Sequence, residues 1–197
     1  MLPDGVTLWF IRHGETDWNK EQRYQGQTDV PINDTGRAQA ARNGRILRGI
    51  LGSDAARLPF VASPLMRTTE TMQIVRRELG LGAEPFHRDD RLKEQHFGHW
   101  EGLLYRDLPK LDPEGYAARQ ADMWGWCPRG GESYEMVRAR ILPWLSGITQ
   151  DTVVVSHGNI GRSLRGILLG LDEHTVPRLD ARQDMVLRLR RGEAEWV

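Results

Sequence analysis

The apolar run Leu8-Trp9-Phe10-Ile11 ends abruptly at Arg12-His13-Gly14. An imidazole attacks phosphorus through a neutral ring nitrogen, and the resulting phosphohistidine divides one phosphoryl transfer into two easier steps. A guanidinium beside it suits the same chemistry. A phosphoryl group spreads charge over its equatorial oxygens, and a planar fork of donors holds those oxygens better than a mobile ammonium does. His13 could also merely cap a strand or satisfy a buried backbone group, so the reading depends on what else converges on it.

Three later fragments carry matching residue types. Ser63-Pro64-Leu65-Met66-Arg67 and Val155-Ser156-His157-Gly158-Asn159 each place a cation or an imidazole just after a short apolar run. Arg67 has neighbours of its own kind in Arg76, Arg77, Arg88 and Arg91. It alone stands in the first turn of a helix that follows a strand, where backbone N–H groups also favour an anion. The third fragment, Arg91 to Gly102, holds Glu94 and Glu101. A leaving alkoxide needs a proton and an attacking water must lose one, so a single carboxyl group can serve both steps; Glu94, Glu101 and Glu15 are the candidates. His96 and His99 are spaced like metal ligands on a helical turn, but no third ligand motif accompanies them and a packed aromatic loop is the expectation.

The elements that must position these residues are legible in outline. Val6 to Ile11, Pro59 to Ala62 and Thr152 to Val155 are short apolar runs of the kind buried on both faces of a sheet. Each leads into a segment with helical spacing: Asp34 to Leu51 with an N-cap at Asp34-Thr35-Gly36, Leu65 to Leu79, and Asn159 to Leu169. This alternation predicts an α/β fold with parallel strands joined by helical crossovers. In such a sheet, ligands gather beyond the carboxyl ends of the strands, where all three runs end in the residues named above. Residues 98–128 change texture to Trp, Tyr, Arg, Asp and Pro, and are expected to be an insertion over the sheet edge, a lid or a helical wall. Trp100, Tyr105, Tyr116, Trp124 and Trp126 would give it an aromatic wall or a core. A helix follows from Glu132-Ser133, and Asp184 to Arg191 alternates as a half-buried edge strand does.

At 197 residues the chain fits one domain, with a core large enough to need no staples. Its 27 basic and 27 acidic side chains balance, which argues against nucleic acid or an anionic membrane as partner and makes any attraction for anions local. Cys127 is the only cysteine, and neither a leader-like N-terminus nor a membrane-length apolar stretch is present, so a cytoplasmic location is expected. The last strand suits a sheet edge or a dimer edge, and a homodimer stays open.

Taken together, RHGET, SPLxRTxET, the glutamate of Arg91 to Gly102, Gly130-Gly131-Glu132-Ser133 and SHGN resemble, in order, the motifs of the histidine phosphatase (phosphoglycerate mutase-like) superfamily across nearly the whole chain. The resemblance implies a three-layer sandwich with a mostly parallel sheet flanked by helices and one antiparallel edge strand. It implies His13 as nucleophile, Arg12 and Arg67 as phosphate clamps, His157 as a donor to the transferred phosphate, and Glu94 as acid/base. A protonated His157 would add a second positive centre near His13. Asn19, Gln25, Gly26, Gly158 and Asn159 match substrate-contacting positions, and the resemblance implies no metal and no cofactor.

Two activities share this constellation: hydrolysis of a small phosphate ester and mutase chemistry. In the cofactor-dependent mutases of the family, the stretch between the acid/base glutamate and the second histidine is longer and rich in arginine and lysine. Here Glu94 to His157 is short and has no adjacent arginine pair. Arg23-Tyr24-Gln25-Gly26-Gln27-Thr28-Asp29-Val30-Pro31-Ile32 resembles the RxQGxxDxPL form of the phosphatase branch. The sequence thus points to a phosphatase with a phosphohistidine intermediate. A mutase is the alternative, and a phospho-ligand-binding relative without activity is the third reading.

Overall fold

Successive side chains of a strand point to opposite faces of the sheet. In β1 (Leu8–Arg12), Leu8 and Phe10 join one apolar cluster while Trp9 and Ile11 join another. The strand β4 (Thr152–Ser156) divides in the same way, Val154 against Val153 and Val155. Parallel strands that are apolar on both sides need helices over each face. The computed structural model, which describes residues 2–197, supplies them.

On one face lie α2 (Asp34–Leu51) and α3 (Met66–Glu78), through Leu47, Met72 and Val75. On the other lie α6 (Tyr134–Ser146) and α7 (Gly158–Leu169), through Val137, Ile141, Ile160 and Leu164. With β2 (Phe60–Ala62), β3 (His87–Arg88), β5 (Leu187–Arg190) and β6 (Glu193–Trp196), the strand order is β3-β2-β4-β1-β5-β6. β1, β2, β3 and β4 are parallel; β5 is antiparallel to β1 and to β6. The expected α/β sandwich is therefore present, with β6 lying outside the antiparallel strand that was expected at the edge. β6 reads as Glu-Ala-Glu-Trp with only Ala194 and Trp196 touching the core, an alternation of four residues too short and too polar to stand out.

The N-cap of α2 is Asn33 rather than Asp34: its side chain accepts from the Gly36 N–H. Residues 98–128 hold two one-turn 3-10 helices, Gly98–Trp100 and Tyr105–Asp107, followed by α4 (Leu108–Leu111) and α5 (Pro113–Ala121). They carry a small core of their own, in which Trp100 and Leu108 pack with Tyr24 and Phe97. A single turn, α1 (Asp17–Lys20), capped by Thr16, follows the first strand.

Ile141 is fully buried in the α6/α7 cluster. Ile141→Ala is expected to lower unfolding free energy in urea by roughly 2–5 kcal/mol, the usual cost of the lost transfer energy plus a cavity.

Candidate active site

The carboxyl ends of β2, β4 and β1 lie side by side, and backbone bonds continue past them. The His13 N–H donates to the Ser156 carbonyl at 2.9 Å and the Ser63 N–H to the Val155 carbonyl at 3.1 Å. His13 and His157 are thereby brought together with ring centroids 5.2 Å apart. Gly14 and Gly36 allow the first turn of α2 to press on the loop after β1: a Cβ on Gly14 would lie 2.3 Å from the Gly36 carbonyl oxygen.

His13 Nδ1 is 2.8 Å from the Gly14 carbonyl oxygen. A carbonyl only accepts, so Nδ1 carries the proton and Nε2 keeps its lone pair. Burial, then the charges of Arg67 and Arg12, hold the His13 pKa well below the ordinary 6.5. The ring is therefore the neutral form that can act as a nucleophile. His157 is equally buried, and burial followed by Arg67 and His13 lowers its pKa well below 6.5 too. Burial and the neighbouring charges thus disfavour, at His157, the positive form considered from the sequence. Its Nδ1 accepts from Arg67 Nε at 3.3 Å, and its Nε2 lies 2.9 Å from the Ser63 hydroxyl. It stands behind His13, outside the cavity lining.

Arg67 is fully buried. Besides the bond to His157, its Nη1 donates to the Thr28 carbonyl at 2.9 Å and its Nη2 to the Gly26 carbonyl at 2.6 Å. Two of the five guanidinium N–H groups are left for a ligand. Burial pushes its pKa down to about 10, so it stays charged at neutral pH. Arg12 donates through Nη1 to the Ala181 carbonyl at 2.6 Å, and its buried Nε has no partner among the described residues. A buried orphan donor of this kind is costly unless an acceptor arrives, and phosphate oxygens are acceptors.

These groups line a cavity of about 640 Å³. Arg12, His13, Arg67 and Glu94 are all in its wall, and so are Asn19, Gln25, Gly26, Gly158 and Asn159. Glu94 receives the Gln95 N–H on Oε1 at 2.9 Å and the Asn159 N–H on Oε2 at 3.4 Å, at the start of α7. Its rival Glu101 lies outside the lining, holding the Gln27, Thr28 and Phe97 N–H groups and the Thr28 hydroxyl at 2.6 to 3.0 Å. Glu101 is a loop tie. Gly26 sits against it with φ +53°, and a Cβ there would lie 2.0 Å from Glu101 Oε1. Glu15 does reach the cavity, though its Oε1 accepts from Asn33 at 3.0 Å.

Asn159 differs from expectation. Its Oδ1 accepts from the Tyr134 hydroxyl at 2.6 Å and from Arg162 at 2.7 Å, and its Nδ2 donates to Gln95 at 2.8 Å. The side chain ties α6, α7 and the Glu94 loop together, which leaves it little freedom to bind substrate. The aromatic wall also divides: Tyr105 and Tyr116 line the cavity, Trp100 and Trp126 pack on each other at 4.2 Å, and Trp124 stacks on Tyr134. His96 accepts the Gly98 N–H while His99 turns to Asp112, so the two do not face a common centre. Sequence reasoning missed Gln183, Arg119 and Arg162, all in the lining. The arginines come from α5 and α7 and are not neighbours in the chain, so a search for adjacent pairs could not find them.

A family model, the histidine phosphatase superfamily (branch 1), matches residues 8–197. The chain belongs to that superfamily. A glucosyl-3-phosphoglycerate phosphatase of Mycolicibacterium vanbaalenii is 32% identical over 204 residues, covering 96% of this chain and 82% of the relative. A 2,3-bisphosphoglycerate-dependent phosphoglycerate mutase of Nitratidesulfovibrio vulgaris is 32% identical over 205 residues, covering 88% of this chain and 81% of the relative. Among solved structures, a mycobacterial glucosyl-3-phosphoglycerate phosphatase in complex with VO3 superposes with a TM-score of 0.78 at 29% identity, over 98% of this chain and 97% of that one. The superfamily thus includes both activities weighed from the sequence. Among the described residues, no helix is long and apolar enough to cross a membrane.

The two depressed histidines of this histidine phosphatase-type site make stability pH-dependent with a definite sign. Below pH 6.5 the unfolded chain takes up protons that folded His13 and His157 exclude, so stability is lost as pH falls and regained as it rises. Urea titrations at pH 7.5 and 5.5 should show a loss of at most about 1.4 kcal/mol per histidine per pH unit. In His157→Asn the dependence should be shallower.

Proposed function

We propose that this protein is a phosphatase that hydrolyses a small phosphate ester through a phosphohistidine on His13. The observation that carries the reading is the bond from His13 Nδ1–H to the Gly14 carbonyl, which leaves a neutral Nε2 in a cavity walled by two guanidinium groups. In the first step Nε2 forms a bond to phosphorus as the bond to the leaving oxygen breaks. Arg12 and Arg67 neutralise the equatorial oxygens, and the Glu94 carboxyl gives its proton to the departing alkoxide. In the second step the Glu94 carboxylate takes a proton from water, the water oxygen bonds to phosphorus, and the N–P bond breaks to restore His13 and release phosphate.

The organic part of the ester would lie against Tyr105 and Tyr116. Arg119, whose guanidinium lies 6.0 Å from the Tyr24 ring centroid, offers that wall a positive charge for a hydroxylated or acidic group. Mutase chemistry needs the same first step and differs only in the acceptor, and a mutase relative matches most of the chain.

Release of inorganic phosphate from p-nitrophenyl phosphate is the expected result. Conversion of 3-phosphoglycerate to 2-phosphoglycerate in the presence of 2,3-bisphosphoglycerate would establish the mutase instead. Failure of both, with phosphate esters still bound, would leave only a binding role. His13→Ala should abolish both turnover and an acid-labile, alkali-stable phosphoenzyme. Glu94→Gln should still be phosphorylated by p-nitrophenyl phosphate, whose leaving group needs little protonation, yet turn over roughly 10²–10⁴-fold more slowly with alkyl esters. A fully active His13→Ala protein would sink the assignment.

A further inference from the structure

We propose that Gln183 is a positioning residue for the nucleophile: with Thr71 it clamps the peptide group between His13 and Gly14, and so fixes which ring nitrogen of His13 is free. Gln183 Nε2 donates to the His13 carbonyl oxygen at 2.9 Å, and the Thr71 hydroxyl accepts the Gly14 N–H at 3.1 Å. That carbonyl and that N–H belong to one planar peptide unit, so the plane is held at both ends. The next unit carries the Gly14 carbonyl that receives His13 Nδ1–H, and its Glu15 N–H is held by Gln39 Oε1 at 2.8 Å. Between the two planes stands a glycine, the residue with the widest backbone freedom. Once the first plane is released, His13 can turn about Gly14, and the Gln39 bond alone holds the plane of the Gly14 carbonyl.

Gln183 is itself firmly placed. Its carbonyl accepts from Asn43 Nδ2 at 2.9 Å, and its Nε2 also donates to Asn19 Oδ1 at 3.1 Å. The stretch before it is tied to the site by three further carbonyls. Leu179 accepts from Arg162 at 2.6 Å, Asp180 from Arg165 at 3.0 Å, and Ala181 from Arg12 at 2.6 Å. Thr71 is equally constrained, since its hydroxyl donates to the Arg67 carbonyl at 2.7 Å. The free lone pair of Thr71 then faces the Gly14 N–H. Both halves of the clamp therefore connect the nucleophile to the elements that carry Arg12 and Arg67.

The inference rests on His13 as the nucleophile, and its test separates the two ideas. Ring 15N shifts of His13 in the resting protein report the tautomer without any turnover. The wild type should show one form protonated at Nδ1, and Gln183→Met, which keeps the length but loses the donor, should show a mixture. Phosphoenzyme formation from p-nitrophenyl phosphate should slow by roughly 10-fold or more, as expected of a misplaced reacting atom, while competitive inhibition by inorganic phosphate changes by less than about 2-fold. Gln183→Leu, which also lacks the donor and adds no charge to the anion cavity, should behave likewise if the Met variant folds poorly. Thr71→Val acts on the same peptide, so the rate losses of the two changes should combine to less than their product. A single Nδ1-protonated form and a wild-type rate in folded Gln183 variants, or losses that simply multiply, would overturn the clamp. A wild type that forms no phosphoenzyme would instead remove the nucleophile assignment.

Discussion

A buried guanidinium is the constraint on which the rest of this site depends. An isolated buried charge is prohibitively unfavourable unless hydrogen bonds surround it. Arg67 satisfies that demand with the Gly26 and Thr28 carbonyls and His157 Nδ1. The first two bonds hold the loop that follows α1 and carries Gln25 and Gly26, and the third holds the start of the β4 loop. The cost of burial is partly transferred to neighbours. Its charge is the second largest cause, after burial, of the low pKa values of His13 and His157. A single buried cation thus shapes the cavity, keeps the candidate nucleophile neutral and leaves two N–H groups for an anion.

The sheet makes this arrangement possible because β4 lies between β1 and β2 in space but comes last of the three in sequence. Crossover helices on both faces bury the strands, and the loops at their carboxyl ends bring the polar side chains of the cavity together. Overall charge is balanced, yet the cavity receives Arg12, Arg23, Arg67, Arg119 and Arg162 against Glu15 and Glu94. The attraction for anions is therefore a property of topology rather than of composition.

How much of this could be read from the chain follows from how local each signal is. Arg12-His13 and Ser156-His157 sit directly after apolar runs, and Arg67 stands in the first turn of a helix, so short stretches of sequence fixed their place at the strand ends. The same locality made α2, with its long amphipathic stretch, readable to its ends. β3 has two exposed residues and β6 a polar pattern, and both exist because a neighbouring strand offers backbone partners. Gln183 was invisible for the same reason: its meaning lies in one carbonyl 170 residues earlier in the chain. Asn159 was legible as a cavity residue but not in its role, because only the structure reveals that Tyr134, Arg162 and Gln95 already occupy its amide.

The neutrality of His13 bears on both halves of the proposed reaction. Attack by Nε2 places positive charge on a ring that keeps its Nδ1 proton, and the burial and arginines that lower the pKa of His13 disfavour that charge in the same way. Two features of the intermediate offset the penalty: the phosphoryl group brings its own negative charge beside the ring, and the Gly14 carbonyl accepts the Nδ1 proton in a bond that strengthens as the ring becomes positive. The covalent state is therefore supported only while phosphate remains attached, and loss of the phosphoryl group restores the favoured neutral imidazole. Such a site accumulates little stability in its intermediate. In the proposed reaction, what takes the phosphoryl group depends on which oxygen Glu94 would reach in the cavity once the first product has left, water or a retained hydroxyl. That choice belongs to the walls supplied by Tyr105, Tyr116 and Arg119 rather than to the strand ends that hold the chemistry.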